Sequence, residues 1–254
     1  MALLSWKKLQ TKIEILPTQK MYFKQYLYKL ELLAYGSRSI GFSGKTSIQQ
    51  NINQRLANNN NKHVNYGGSW HAANAYNNLQ KADVDWLEFL KSQKLTLPSN
   101  MRFRIEEPKV QVYSTDEDDL LEFANQIPKH HRQYLLSFYA PNTDRELELL
   151  QAGIELRKKP PKYRYKVNFR DGKYSVESKI SILNYLEGLE EQVWVPQRCQ
   201  DHLTKSHNYI WDTYVYINDI NISIFLRIID PNLVRSITEL ASVAEINTDI
   251  VKKV

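Results

Sequence analysis

The sequence holds a single cysteine, Cys199, only eight glycines, and no apolar run approaching the roughly 20 residues of a membrane helix. One thiol cannot close an internal disulfide, so the fold has to rest on its core, and a reducing compartment is expected. Few glycines speak against the loop-rich jelly rolls of many shells and fibres, whose tight turns call for that residue. The opening Met-Ala-Leu-Leu-Ser-Trp-Lys-Lys has no basic flank leading into an apolar core, so no secretory signal is read there. The expectation is a soluble, cytoplasmic protein without membrane association. No serine, nor Cys199, sits in a nucleophile-elbow sequence. Gly44-Lys45-Thr46 follows Gly41 after two residues where a phosphate-binding loop has four, and no apolar strand leads into it. No cofactor is implied.

What is present is ample core material. The 254 residues are 42% hydrophobic, with 16 Tyr, 8 Phe and 5 Trp, which excludes a wholly disordered chain. Thr11–Leu16 and Met21–Ala34 read as strands, and Met101–Tyr113 as a strand that Pro108 interrupts, hence at an edge or bulged. Asp83 can cap a helix to Gln93. Thr115-Asp-Glu-Asp-Asp, the capping box Thr143-Asp-Arg-Glu146 and Ser175 start three more. Gln133–Ala140 and Ile154–Phe169 read as strands between them. Thr213–Ile217 and Ile220–Ile229 flank Asn218–Asp219 as a hairpin, and Asp230–Pro231 starts a last helix through Val234, Ile237 and Leu240. Half of the 20 Asn lie between Asn51 and Asn78. Apart from a short amphipathic helix that Ile48, Ile52 and Leu56 would allow, residues 41–78 read as a long polar loop or insertion. The reading is one α+β domain over residues 1–254. It has a mixed or largely antiparallel sheet, helices packed mainly on one face, and a C-terminal β-hairpin followed by a helix.

One internal echo occurs. Tyr26-Leu-Tyr-Lys-Leu-Glu-Leu32 and Tyr163-Arg-Tyr-Lys-Val-Asn-Phe169 share the pattern Tyr-x-Tyr-Lys-apolar-x-apolar, with Tyr214-Val-Tyr-Ile as a fainter copy. Their flanks do not match, and convergence on good strand residues is the simpler account.

The charge is localised. Residues Arg157–Lys173 carry eight Lys or Arg and one acid, a local +7 within a chain of net +6. If residues 162–170 form a strand, Lys162, Arg164, Lys166, Asn168 and Arg170 face one way and Tyr163, Tyr165, Val167 and Phe169 the other. Such a cationic row, extended by Arg157, Lys158 and Lys159 before Pro160–Pro161 and by Lys173 after it, can neutralise successive phosphates and release their counterions. The aromatic face reads as core, because stacking platforms place aromatics on the same exposed face as the charge. The bland alternative is a solvated strand guarded from edge pairing by its charges, for which one or two cations suffice.

Other constellations are incomplete. Cys199, His202 and His207, with Asp201 between, have zinc-ligand types but lack a fourth ligand at recurrent spacing. His130–His131 could complete the set only through tertiary proximity, so no metal is assigned. Asp171, Glu177 and Lys179 have the residue types of a magnesium-dependent nuclease at too short a spacing. Glu177, like Asp116–Asp119, is equally an acid favoured in a first helical turn.

The function expected first is non-enzymatic nucleic-acid binding, to RNA or DNA, single-stranded or by shape, through phosphate contacts of Arg157, Lys158, Lys159, Lys162, Arg164, Lys166, Arg170 and Lys173. An assembly protein whose partner is another protein or its own copy is the alternative, and a nuclease using Asp171, Glu177 and Lys179 the third. The wealth of Asn, Lys, Tyr and Ile is that of an AT-rich genome, compatible with a viral or phage accessory protein.

Overall fold

Alternating strand residues and capped helices build two separate cores. The computed structural model of the chain describes residues 6, 13–41, 47–65, 77, 79–205 and 209–244. The single domain expected from the sequence divides into two compact units: Met1–Thr18 with Tyr22–Asn142, and Gln19–Met21 with Thr143–Val254. The α+β class holds in both.

Unit 1 contains β1 (Glu14–Pro17), β2 (Tyr28–Leu33), α1 (Ile48–Asn65), α2 (Val84–Thr96), β3 (Met101–Glu106), β4 (Lys109–Ser114), α3 (Glu117–Gln126) and β5 (Leu135–Ala140). Its sheet runs β1-β5-β2-β4-β3, with β1 and β5 parallel and the other neighbours antiparallel. Leu30, Leu32, Val110, Val112 and Phe138 on one sheet face pack with Ile48 and Ile52 of α1, Trp86, Leu87 and Leu90 of α2, and Leu120 and Phe123 of α3.

Unit 2 contains α4 (Asp144–Gln151), β6 (Glu155–Arg157), β7 (Tyr165–Phe169), β8 (Gly172–Lys173), α5 (Val176–Glu187), β9 (Val193–Trp194), α6 (Gln197–Thr204), β10 (Tyr209–Ile210), β11 (Tyr214–Ile217), α7 (Asn221–Ile229) and β12 (Val234–Ser242). Its main sheet runs β6-β12-β7-β11-β9, with β6 and β12 parallel and the rest antiparallel. Val167, Phe169, Val193, Val215 and Ile217 form its inner face. They pack with Ile182 and Leu186 of α5, Cys199 and Leu203 of α6, and Ile222 and Leu226 of α7.

The two units repeat one arrangement. Without its first strand, each is a β-α-β-β-α-β chain with the ferredoxin-like split βαβ connection, and the strand orders correspond member by member. The register corresponds as well. Leu30 of β2 lies between Val112 and Phe138, and Val167 of β7 lies between Val215 and Ile237. Each last strand carries a bulge at the same place, one that passes over Leu136 in β5 and Arg235 in β12. The echo Tyr-Lys-apolar-x-apolar occupies matching positions of the two central strands, Tyr28–Leu32 and Tyr165–Phe169. It marks equivalent places in a repeated fold, where both neighbours of a central strand constrain the residue types. The unmatched flanks are loops, free to differ without disturbing either sheet.

Several expected elements are recast. The interrupted strand over 101–113 is the hairpin β3–β4, with Pro108 in its turn. Residues 48–65 form a helix rather than polar loop, because Ser47 and Gln50 make a reciprocal capping box, each amide 3.2 Å from the other's side-chain oxygen. Residues 42–46, with Gly44-Lys45-Thr46, and 66–76 lie outside the described residues. The strand over 154–169 is two strands joined by a bend. In the C-terminal part a strand is indeed followed by a helix, but the helix is α7, where the second hairpin arm was expected. The last expected helix is β12. Asp83, Thr143 and Ser175 accept from the amides of Trp86, Glu146 and Ser178, as capping residues do. Among the described residues no helix is long and apolar enough to cross a membrane.

Candidate nucleic-acid interface

In unit 2 the sheet face opposite the helices is built by strict alternation. With Val167, Val215 and Val193 turned inward, Lys166, Tyr216 and Trp194 form one outward row across β7, β11 and β9, in direct register. Trp194 stands on the edge strand, half exposed, its ring stacked on Tyr216 at 5.3 Å between centroids and 19° between planes. Tyr214 meets Tyr216 edge-on at 5.4 Å, and the Lys166 ammonium lies 4.1 Å from the centre of the Tyr214 ring. Burial holds that ammonium below the usual lysine range, against the nearby Glu155 carboxylate. Burial also pushes the Tyr216 hydroxyl up, opposed by the Arg157 guanidinium beside it.

Beside this row opens a cleft of about 510 Å³. It is lined by the cations Arg157, Lys158, Lys159 and Lys162 and by Tyr163, Trp194, Tyr216 and Leu240. The bend between β6 and β7 carries the lysines. Pro160–Pro161 allow neither residue to donate to a ladder, so the chain leaves the sheet after Arg157 and rejoins it only at Tyr165. That corrects the single cationic row expected over 162–170. Only Lys166 and Asn168 of that row stand on the outer sheet face, and Asn168 donates to Ser236 at 3.2 Å.

The eight predicted cations therefore separate. Lys158, Lys159 and Lys162 are exposed and, among the described residues, pair with no acid. Arg157 is held by Glu155 at 2.8 Å at the cleft wall. Arg164 is committed to Glu239 through Nε at 3.0 Å and a terminal nitrogen at 2.9 Å, and this partner holds its guanidinium above the usual value. Arg170 and Lys173 lie past the far end of β7, about 17 Å from the Lys162 end for five residues of strand, and do not line the cleft. Tyr163, Trp194 and Tyr216 were not singled out as site residues in the sequence. The available signal was alternation: Tyr214 and Tyr216 oppose Val215 and Ile217, and Trp194 stands between Val193 and Val195. The expectation that Val167 and Phe169 are core holds. The exposed aromatic of the cleft is Trp194 of β9, with the half-buried Tyr216 of β11 beside it.

The remaining constellations have structural roles. Cys199 is buried in the core of unit 2, which pushes its thiol up to about 12. His202 lies edge-on against Trp211 with centroids 4.0 Å apart. His207 is outside the described residues, and His130–His131 belong to unit 1, where His131 packs on Trp86. Glu177 and Lys179, two positions apart on α5, point to opposite sides of the helix. The first is exposed, while the second is buried with its ammonium against the carbonyls of His202 and Lys205. Asp171 accepts from the Asp212 amide at 2.8 Å. Asp116 caps α3 and Asp119 accepts from Asn100 and Ser114. Among the described residues no group of three or more His, Cys, Asp or Glu could hold a metal ion. Set against models of known protein families, curated proteins and solved structures, the chain matches none.

Proposed function

We propose that the protein binds nucleic acid through the outer face of the second sheet, with phosphates on Lys158, Lys159 and Lys162 and the polynucleotide running over Tyr216 and Trp194. The observation that carries this reading is that Lys158, Lys159 and Lys162, which pair with no acid among the described residues, share one cleft with the exposed Trp194 and the half-buried Tyr216. Cations alone would suit any polyanion, and aromatics alone any apolar partner. Bases attached to phosphates need both, at neighbouring places. RNA-recognition modules that stack bases on aromatics of an open four-stranded sheet use the same division of labour, a fold-level analogy that supports the reading without deciding it. Replacing Lys158, Lys159 and Lys162 together by Glu is expected to abolish binding at moderate salt while leaving the circular dichroism spectrum unchanged. For the wild type, affinity should fall with salt at a log–log slope of about −0.7 per phosphate contacted on a single strand. Binding that survives the triple substitution would place the interface elsewhere.

A second reading, self-assembly, rests on a different surface. Ile220, Ile224, Phe225 and Ile228 recur at helical spacing along the outward side of α7, 45–71% exposed, and Ile180 of the adjoining α5 is 51% exposed. A run of large apolar groups on one helix face is the kind of patch that marks a protein interface. Its occupant in this reading is a second copy of the chain. Because these helices cover the inner face of the sheet, the cleft stays open on the other. Ile228→Glu is expected to convert an oligomer to monomer in light scattering without changing nucleic-acid affinity per chain. A wild-type chain that stays monomeric at high concentration rules this second reading out.

A further inference from the structure

The repeat lets unit 1 be compared with unit 2 position by position, and the comparison bears on what the cleft accepts. The outward row Lys166–Tyr216–Trp194 has its register counterpart in Lys29–Tyr113–Arg102. In unit 1 the segment between the first two strands turns back over this row. Phe23 and Lys24 adopt left-handed backbone angles, φ 53° and 60°, a costly conformation for such side chains. The turn places the Phe23 ring 3.9 Å from the Arg102 guanidinium carbon and edge-on to Tyr113 at 5.0 Å. Tyr22 covers the same tyrosine at 5.2 Å. Unit 1 thus closes its own sheet face with a planar ring set beside the Tyr113–Arg102 pair.

In unit 2 the corresponding segment is the bend with Lys158, Lys159, Lys162 and Tyr163, which lines a cleft beside the row instead of filling it. The space beside Tyr216 and Trp194 remains open, at about 510 Å³, within the roughly 300–1,000 Å³ of small-molecule sites. Trp194 takes the place of Arg102. One side of its indole lies on Tyr216, and the residue stays 51% exposed on the edge strand β9. We infer that this cleft is a socket for one unstacked base of a single-stranded nucleic acid, held against Trp194 and Tyr216 in the place that Phe23 fills in unit 1, with its flanking phosphates on the lysine bend. The inference rests on the nucleic-acid reading above and specifies its substrate class. A duplex keeps every base in its stack, so it can reach the lysines but offers no ring to the socket.

The test is fluorescence anisotropy with a labelled single-stranded oligonucleotide and with a duplex of the same length, on the wild type, Trp194→Ala and Trp194→Phe. Stacking on one aromatic accounts for about 1–3 kcal/mol per base. The expected result is roughly a tenfold or greater loss of single-strand affinity in Trp194→Ala, no loss on the duplex, and near-complete retention in Trp194→Phe, which keeps a ring. Equal loss on both ligands, or no loss on either, overturns the socket while the charge reading stands. Failure of the lysine triple variant to weaken binding overturns the charge reading itself. RNA and DNA strands run as separate arms, and either one bound with these properties supports the socket. Adenosine monophosphate serves as competitor. If it displaces the strand at concentrations equal to that of the strand, the site takes a free nucleotide and the single-strand assignment fails. A Trp194→Ala variant that loses its fold is replaced by Tyr216→Leu, which removes the second ring and carries the same expectations.

Discussion

Glu31→Leu is expected to lower the unfolding free energy of unit 1 by about 3–5 kcal/mol, the usual cost of leaving a buried charge without its partner. Glu31 stands on β2 facing away from the helices, where a sheet residue is ordinarily solvated, yet its side chain is 8% exposed and that of Lys29 10%. Its carboxylate accepts from Lys29 at 2.8 Å, Gln111 at 3.0 Å, Lys109 at 3.1 Å and Ser137 at 3.3 Å. Lys29 also lies 3.6 Å from the centre of the Tyr139 ring. Burial alone would raise the carboxyl, but the Lys29 ammonium, and after it Lys109, outweigh burial and hold it below its ordinary 4.5. A carboxyl lowered by folding contributes stability that is complete above the unfolded value and is lost as pH falls through the folded one. The penalty of Glu31→Leu should therefore be full at neutral pH and shrink below pH 4.5. The double variant Lys29→Met with Glu31→Leu removes both buried charges and should recover most of the loss. Urea unfolding read by hydrogen exchange of β2 and β4 amides isolates unit 1. A single-variant cost under about 1 kcal/mol would assign the cluster the weight of a surface ion pair.

The sequence signals that proved reliable are the local and uninterrupted ones. Asp83, Thr143 and Ser175 cap their helices as read, since a cap needs only its own turn. Ser47-Ile-Gln-Gln50 was the same signal, and the surrounding asparagines masked it. What misled was spacing altered by tertiary structure. Val234 and Ile237 stand three apart because the bulge adds Arg235 between residues that face the same way. Leu240, buried on the outer face, extends a sequence of threes that imitates a helix. On α7 the reverse occurs. Ile222 and Leu226 point inward while Ile224, Phe225 and Ile228 stay exposed, so a helix apolar on both sides reads as a β-branched strand. The site was half legible for a related reason. Charge is visible in composition, so the lysine bend stood out. Trp194 joins it only through the pairing β7–β11–β9, a set of contacts that no local pattern contains. The repeat itself left one trace, Tyr-Lys-apolar-x-apolar, at the central strand that both neighbours constrain.

Lys179→Ala is the second large effect expected, a loss of about 3–5 kcal/mol in unit 2 with the Trp194 cleft left intact. Lys179 is 1% exposed on α5. Its ammonium donates to the carbonyl of His202 at 3.1 Å and to that of Lys205, the residue that ends α6. A cation there donates to carbonyls at the end of the helix and meets the negative end of its dipole. Alanine removes the donor and the aliphatic stem together, and a large-to-small change in a core costs about 2–5 kcal/mol before any carbonyl loses its bond. Lys179→Met keeps the stem and forfeits the donor alone, at about 1–3 kcal/mol. Burial lowers this amine below its ordinary 10.5. For a group lowered by folding, the stability it contributes is complete only above 10.5 and is lost as pH falls through the folded value. The stability difference between the wild type and Lys179→Met should therefore be larger at pH 10 than at pH 7, because between the folded value and 10.5 the unfolded chain binds more protons than the folded one. Urea midpoints at both pH values decide it, and a difference that narrows would mean that the charged amine is stabilised by the carbonyls more than burial penalises it. A catalytic role predicts the other pattern: lost nuclease activity at unchanged stability. Lys179 is a helix-end anchor if stability falls while strand binding at the Trp194 cleft persists in the folded variant.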